Sequence, residues 1–436
     1  MCLFNNKTLY LLANSDVMES LILATGLIYF TGHLLTHFFE RSKIPDVLML
    51  ILFGIIIGPL TGIMTVDRIG VAGHLFTQFA LIIILFQGGL DIEIGNLVRS
   101  ARQSVIMTVS FFAVSAGTVW MIMRFGFDYS PMASAVTGFI CGGTSSAVVI
   151  PLLRMIRASK KAGAMLVIES ALTDVLCIVF TIGVLQSISS GEFKIGRIVY
   201  TLLSSLIAAS AVGLAGGIFW LKVINWVRRF KNTQFATCFF MFVTYGVAEL
   251  SGFSGAIAAL AFGIVMGNAS VVSHKLSRIY NDARPVGVIS EAEKDLYEEL
   301  AFLVKIFFFL YLGISIPFES SSIIAVAISI VVALFALRPA CTFWMAGRQM
   351  TPHDKSITAV MLPKGLAAAV LAGLPAQYGM IEGPDIQSIT YHVVLDSIVL
   401  TSILIPLIER TGIGSRLDSL FSHSPNAGAE AGEDTK

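Results

Sequence analysis

Thirteen runs of about 16 to 30 mostly apolar residues recur along this chain, at 20–39, 44–60, 74–91, 103–124, 131–153, 162–188, 197–221, 234–249, 254–269, 298–317, 322–347, 355–378 and 388–409. A helix needs ~20 apolar residues to cross the hydrocarbon of a bilayer. Numbered in order as spans 1 to 13, these runs predict an all-α membrane protein with about 13 transmembrane helices. Charge content agrees: 13% of the residues are charged, against roughly 25% in soluble domains. Span 1 lacks a basic leading region and a small-residue cleavage site, so it reads as a retained span and not as a signal peptide.

Charge placement gives an independent test of the count. With thirteen spans, alternate connections share a side of the membrane. One side then holds 21 of the 29 Lys and Arg residues, the other five, and Lys305, Arg338 and Lys364 fall inside spans. The positive-inside rule puts the N-terminus outside and the C-terminus in the cytoplasm. A miscounted helix would scramble that bias. The formal net charge is +1, and no basic and aromatic pattern suggests nucleic acid as a partner. Five cysteines, four of them inside apolar runs at wide spacing, fit small core residues and neither a disulfide framework nor a zinc site. The seven histidines show no metal spacing beyond His33 and His37, read as a helix-end feature, and no cofactor is expected.

The chain also resembles itself. Phe53-Gly54-Ile55-Ile56-Ile57-Gly58 in span 2 matches Phe262-Gly263-Ile264-Val265-Met266-Gly267 in span 9. Gly89-Leu90-Asp91-Ile92 closes span 3 as Gly313-Ile314-Ser315-Ile316 closes span 10. Gly143 with Ala147-Val148-Val149 in span 5 matches Gly365 with Ala369-Val370-Leu371 in span 12, an offset of 222 residues. The matches pair spans seven apart, and an odd offset inverts the second repeat in the membrane, an architecture of secondary transporters. Spans 5 and 12 are also where helices are expected to break. Cys141-Gly142-Gly143-Thr144-Ser145-Ser146 begins ~15 Å into span 5 at a rise of ~1.5 Å per residue, and Pro363-Lys364-Gly365 lies at a similar depth in span 12. Unwound backbone at that depth is tolerated only against protein or a water-filled cavity. Two interrupted, crossing helices at corresponding places point to a substrate site between them. Close packing through small residues is the competing reading.

Charges inside the spans carry the chemistry, because an ionised side chain in lipid costs at least a few kcal/mol. Span 6 holds two carboxylates. Helical spacing gathers Glu169, Ser170, Thr173 and Asp174 into one oxygen-rich stripe. Asp174 is the candidate coupling carboxylate: a buried carboxyl holds a proton more readily, and the deprotonated form helps to coordinate a small cation. Mutually exclusive binding of H⁺ and cation at one group produces exchange. Hard alkali cations want oxygen ligands, which Ser170, Thr173, Thr144, Ser145 and unwound carbonyls of span 5 supply. Arg338, a lone arginine in span 11, demands a partner, and Glu169 is assigned to it as a structural ion pair. Lys364 is placed to offset carbonyl ends of the broken helices. Lys305 is expected to snorkel from the cytoplasmic end of span 10. Asp396 lies 222 residues after Asp174 as its repeat mate, its role open. Residues 270–297 read as a charged cytoplasmic connection, helical from Glu291 to Glu299, and 422–436 as a disordered cytoplasmic tail. No soluble nucleotide-binding domain is expected.

These residues resemble the monovalent cation:proton antiporter superfamily, the sodium/proton exchangers, over nearly the whole chain. Glu169-Ser170-x-x-Thr173-Asp174 is similar to the family's Glu-Ser/Gly-x-x-Asn-Asp, and Gly143-Thr144-Ser145-Ser146 to its unwound Thr-Asp helix. Leu85-Phe86-Gln87-Gly88-Gly89-Leu90-Asp91 is similar to its Leu-Phe-x-x-Gly-Leu-Asp/Glu stretch. Arg338 followed by Pro363-Lys364-Gly365-Leu366 resembles its Arg and Gly-x-Arg-Gly pair. The resemblance implies a homodimer in the lipid bilayer with an elevator-like motion. By that analogy residues 1–421 form the antiporter domain, with a core from 103–188 and 322–409 and a dimerisation scaffold from the remaining spans. Thr173 departs from the family's Asn or Asp, and Ser145 from an Asp common in electroneutral members.

The function expected is secondary active exchange of Na⁺ or Li⁺ for H⁺ by alternating access, in a prokaryotic cytoplasmic membrane. With one free carboxylate, one proton per monovalent cation is the simplest stoichiometry, hence electroneutral exchange. A K⁺/H⁺ antiporter is an alternative. So is a Na⁺-coupled organic-anion symporter of similar architecture, against which stand the few, small polar side chains at the candidate crossing. A membrane enzyme is disfavoured, because no paired nucleophile and base or metal cluster is evident. A channel would not need a lone titratable aspartate.

Overall fold

The computed structural model describes residues 23, 26–34, 45–66, 71–92, 101–153, 156, 158–189, 195–231, 233–272, 290–318, 320–345, 350–410, 418 and 419. His37, most of the 270–297 connection and the 422–436 tail lie outside them. Within the described residues the fold is all-helical, and each of the thirteen apolar runs holds helix. Among the described residues six helices are long and apolar enough to cross a membrane, including Ala162–Gln186 in span 6 and Ser321–Trp344 in span 11. Span 6 itself runs Lys160–Ser189. Span 10 starts earlier than its apolar run, at Glu291, because Ser290 and Glu293 form a capping box that satisfies backbone donors at each other's positions.

Spans 5 and 12 are broken. Span 5 is Pro131–Cys141, an unwound 142–145 segment, and Ser146–Leu153. Span 12 is Pro352–Val360, an unwound 361–365 segment, and Leu366–Leu371. Spans 4, 6, 11 and 13 pack around these two, while spans 2, 3, 7, 8, 9 and 10 pack chiefly on one another. A separate buried cluster joins Phe86, Trp220, Met241, Phe262 and Tyr297 in the second group. Large apolar side chains that stay exposed, such as Ile106, Ile207, Phe239 and Val332, form a surface suited to lipid.

The repeat motifs meet each other in the fold. Span 2 crosses span 10 with Gly54 against Gly313: a Cβ on Gly54 would lie 2.9 Å from the Gly313 Cα and run into the Leu310 carbonyl. Span 3 crosses span 9 in the same way, a Cβ on Gly89 lying 2.9 Å from the Gly263 Cα and running into the Leu260 carbonyl. Span 2 matches span 9, and span 3 matches span 10. Exchanging the repeats therefore turns one glycine crossing into the other. The helix starts carry a second such pair. Ser130, opening span 5, donates from N and Oγ to the carboxylate of Glu382 before span 13, at 2.8 and 2.6 Å. Asp354, opening span 12, accepts at 2.9 Å from the backbone N–H of Ser159 before span 6.

Close approach of backbones at these crossings has a direct consequence. Gly89→Ala is expected to destabilise the protein by about 1–3 kcal/mol through overpacking. Gly88→Ala, where an added Cβ meets nothing within 4 Å, is expected to be neutral or to gain a few tenths from helix propensity. Thermal unfolding of the two variants in detergent checks this, and equal melting temperatures would refute the crossing.

Candidate functional site

Two short unwound segments meet where spans 5 and 12 cross, and each of their polar backbone groups needs a partner there. The Ser145 N–H donates to the Pro363 carbonyl at 2.8 Å, joining the two interruptions directly. Hydroxyls from the following helices take two more donors. Thr173 Oγ1 in span 6 accepts from the Thr144 N–H at 3.1 Å, and Ser397 Oγ in span 13 accepts from the Lys364 N–H at 2.9 Å. The Lys364 ammonium, fully buried, donates to the Gly143 carbonyl at 2.6 Å. A cation thus sits on the carbonyl end of the first half of span 5, where the helix dipole favours positive charge. Gly365 has no room for a side chain, since a Cβ there would overlap the Ser145 hydroxyl.

The two carboxylates of span 6 have different surroundings. Glu169 is 2% exposed and Arg338 1%. Arg338 Nη1 and Nη2 donate to the two Glu169 oxygens at 2.5 and 2.9 Å. Its Nε donates to the Thr358 carbonyl of span 12 at 3.0 Å, and its guanidinium lies 4.1 Å from the centre of the Phe111 ring of span 4. One arginine therefore joins spans 4, 6, 11 and 12. Asp174 is half-buried, and Ser146, the first residue of the second half of span 5, donates from Oγ to Asp174 Oδ2 at 2.9 Å. A carboxylate at a helix N-terminus faces unsatisfied N–H groups and the positive end of the dipole.

The other oxygens named from the sequence stand as follows. Ser170 is fully buried and donates to the Val167 carbonyl of its own helix at 3.0 Å. Thr173 is buried against Thr144 and donates to the Ser170 carbonyl at 3.1 Å. Thr144 and Ser145 are each 3% exposed. The stripe and the interruption are thus brought together, but the hydroxyl on Asp174 is that of Ser146. Sequence reasoning placed Ser146 in the interruption without giving it a task; its position as the first residue to resume the helix was the available signal.

Lys305 does not snorkel. Its ammonium donates to Asp46 Oδ2 at 2.7 Å and lies 5.1 Å from the Phe302 ring centre. Asp46 opens span 2 and is only 4% exposed, so burying it without a counter-charge would cost more than holding the lysine in place. Asp396 is half-buried in span 13, next to Ser397. His33 lies 3.7 Å from Glu299. Cys141, Cys177 and Cys238 are buried free thiols and Cys341 is half-buried. Among the described residues no group of three or more His, Cys, Asp or Glu is placed to hold a metal ion.

The buried ion pair makes a quantitative forecast. Arg338→Ala and Glu169→Ala should each cost about 3–5 kcal/mol by stranding the other charge, and the double variant should cost much less than their sum. Unfolding of the three variants in detergent measures this, and additive losses would mean that the pair is not coupled.

Comparison with known proteins places this arrangement among transporters. The sequence profile described as "Sodium/hydrogen exchanger, transmembrane" matches residues 26–410. The Na(+)/H(+) antiporter 1 of Methanocaldococcus jannaschii is 25% identical over 361 residues, covering 80% of this chain and 81% of that protein. The K(+)/H(+) antiporter NhaP2 of Shewanella oneidensis is 23% identical over 260 residues, 58% of this chain and 45% of its own length. The solved structure of the sodium proton antiporter MjNhaP1 from M. jannaschii at pH 8 superimposes with a TM-score of 0.73 at 22% identity, over 88% of this chain and 99% of that one. That likeness shows a shared fold.

Proposed function

Because the chain belongs to the sodium/hydrogen exchanger family, we propose that it exchanges Na⁺ or Li⁺ for H⁺ by alternating access, with Asp174 binding either the proton or the cation. One observation carries this reading. At the crossing of the broken helices, Asp174 is half-buried and bonded to a neutral hydroxyl, whereas Glu169, one turn away, is committed to Arg338 through both oxygens. Neutralising a carboxylate in a low-dielectric site takes a proton or a cation, and one group cannot hold both at full strength.

The oxygens near Asp174 suit a hard monovalent cation: the carboxylate, Ser146, and behind them the carbonyls and hydroxyls of the unwound segment at Thr144, Ser145, Ser170 and Thr173. The Glu169–Arg338 pair holds the helix that carries Asp174. Lys364, bonded to the Gly143 carbonyl, stabilises the unwound backbone. One exchangeable carboxylate moves one charge in each direction, so the exchange is electroneutral at one proton per cation. K⁺ is the second cation to test, on the ground that a relative 23% identical carries the name of a K(+)/H(+) antiporter.

The chain then lies with its N-terminus outside and its C-terminus in the cytoplasm. The core of 103–188 and 322–409 moves against the other spans, in a homodimer of a prokaryotic cytoplasmic membrane. The packing of spans 4, 6, 11 and 13 about the broken helices supports that division.

Purified protein in liposomes with a lumenal pH dye provides the test. Na⁺ or Li⁺ pulses should change lumenal pH, and Asp174→Asn should abolish the change; exchange that persists in this variant would overturn the mechanism. Under fixed ion gradients, an imposed membrane potential should leave the initial rate unchanged. A rate that follows the potential would refute electroneutrality.

A further inference from the structure

Most hydroxyls around the crossing are already committed to backbone. Ser170 donates to its own helix, Thr173 holds the Thr144 N–H, and Ser397 holds the Lys364 N–H. Each keeps a strand of unwound chain or a helix turn in place, and each is fully buried or nearly so. Ser146 differs on both counts. It is half-buried like Asp174, and its hydroxyl bonds the carboxylate itself at 2.9 Å.

A serine hydroxyl has one donor, two acceptor lone pairs and a freely turning hydrogen. Beside an empty carboxylate it donates, a charge-assisted bond that fixes the orientation of the carboxylate. When a hard cation sits on the carboxylate, the same oxygen turns and offers a lone pair. We propose that Ser146 is a positioning residue of the exchange, holding the Asp174 carboxylate in place when the site is empty and serving as a cation ligand when it is filled, so that it sets the affinity for the cation. This rests on the reading of Asp174 as the exchange site. The other titratable groups around the crossing are Lys364, held on the Gly143 carbonyl, Cys177 on the Asp174 helix and packed at Gly143, Cys141 on the first half of span 5, and Glu169, locked to Arg338. Asp174 is hydrogen-bonded to Ser146 and to none of these.

Ser146→Ala removes the hydroxyl and keeps the backbone N–H at the helix start. Without the hydroxyl, the carboxylate loses its hydrogen-bond partner and the cation loses a ligand. In liposomes, the Na⁺ concentration for half-maximal exchange should rise about tenfold, the ratio expected for one hydrogen bond to a charged group. The maximal rate at saturating Na⁺ should be retained. Ser146→Thr should restore the half-saturation. An unchanged half-saturation in Ser146→Ala would overturn the proposal. So would a loss of maximal rate alone that Ser146→Thr does not repair, since that is what a merely structural residue gives. A binding readout separates this from failure of the exchange mechanism. The rise in Tm of detergent-solubilised protein with added Na⁺ should be lost in Ser146→Ala and kept in Ser146→Thr, even if Asp174→Asn still exchanges. A wild-type rise in Ser146→Ala would refute the role of Ser146 alone.

Discussion

The Arg338 guanidinium constrains this structure more than any other single group. It is a bulky planar cation with five donors to satisfy, and it is buried. Taking such a group from water costs several kcal/mol, recovered only when its donors are matched with good geometry. Here the match uses a carboxylate from span 6, a carbonyl from span 12 and an aromatic face from span 4. The carboxylate and the carbonyl belong to opposite repeats, Glu169 to the first and Thr358 to the second. The requirement to satisfy one cation thus fixes how the two halves meet, and with it the place where their interruptions cross.

From that fixed frame the crossing follows as a matter of accounting. Breaking a helix in mid-membrane frees donors and acceptors that lipid cannot satisfy. Spans 5 and 12 answer by bonding to each other at Ser145 and Pro363 and by borrowing a hydroxyl from the next helix in each repeat, Thr173 in one and Ser397 in the other. Lys364 closes the remaining carbonyl end. With those groups committed, the carboxylate of Asp174 in span 6 is left facing Ser146 at the start of the second half of span 5, and the proposed exchange is assigned to it.

How much of this was legible beforehand depended on the kind of signal. Apolar length and Lys/Arg placement report on the membrane alone, and so the thirteen helices could be read without tertiary information. Glycine and proline at mid-span exposed both interruptions. The partition of oxygens did not show. Helical spacing put Ser170 on the same stripe as Asp174, but a buried serine bonds its own helix carbonyl when one lies in reach, as Ser170 does to Val167. Thr173 looked like an odd ligand because its partner, the Thr144 N–H, comes from backbone in another helix and leaves no trace in composition. Lys305 misled for a similar reason: snorkelling is the default for a lysine near a span end, and only the fold brings Asp46, 259 residues away in sequence, against it.

Repeat symmetry relates these contacts to one another. Weak sequence matches paired span 2 with span 9 and span 3 with span 10, and the fold sets the glycines of those motifs face to face across the pairs rather than within them. A crossing of span 2 on span 10 becomes, under exchange of repeats, the crossing of span 9 on span 3. The bonds of Ser130 to Glu382 and of Ser159 to Asp354 exchange likewise. An object built this way has two ends framed by equivalent helix contacts. Under the proposed alternating access, a conformation open at one end would have a counterpart open at the other, made by swapping the roles of those contacts. Asp174 departs from that symmetry. Its counterpart by offset, Asp396, lies beside the serine that holds the Lys364 N–H, and the unwound segment of span 12 carries a lysine whereas that of span 5 carries a threonine and a serine. Two equivalent sets of helix contacts around one inequivalent carboxylate is the arrangement the proposed exchange calls for, because a single site would be presented to both sides in turn.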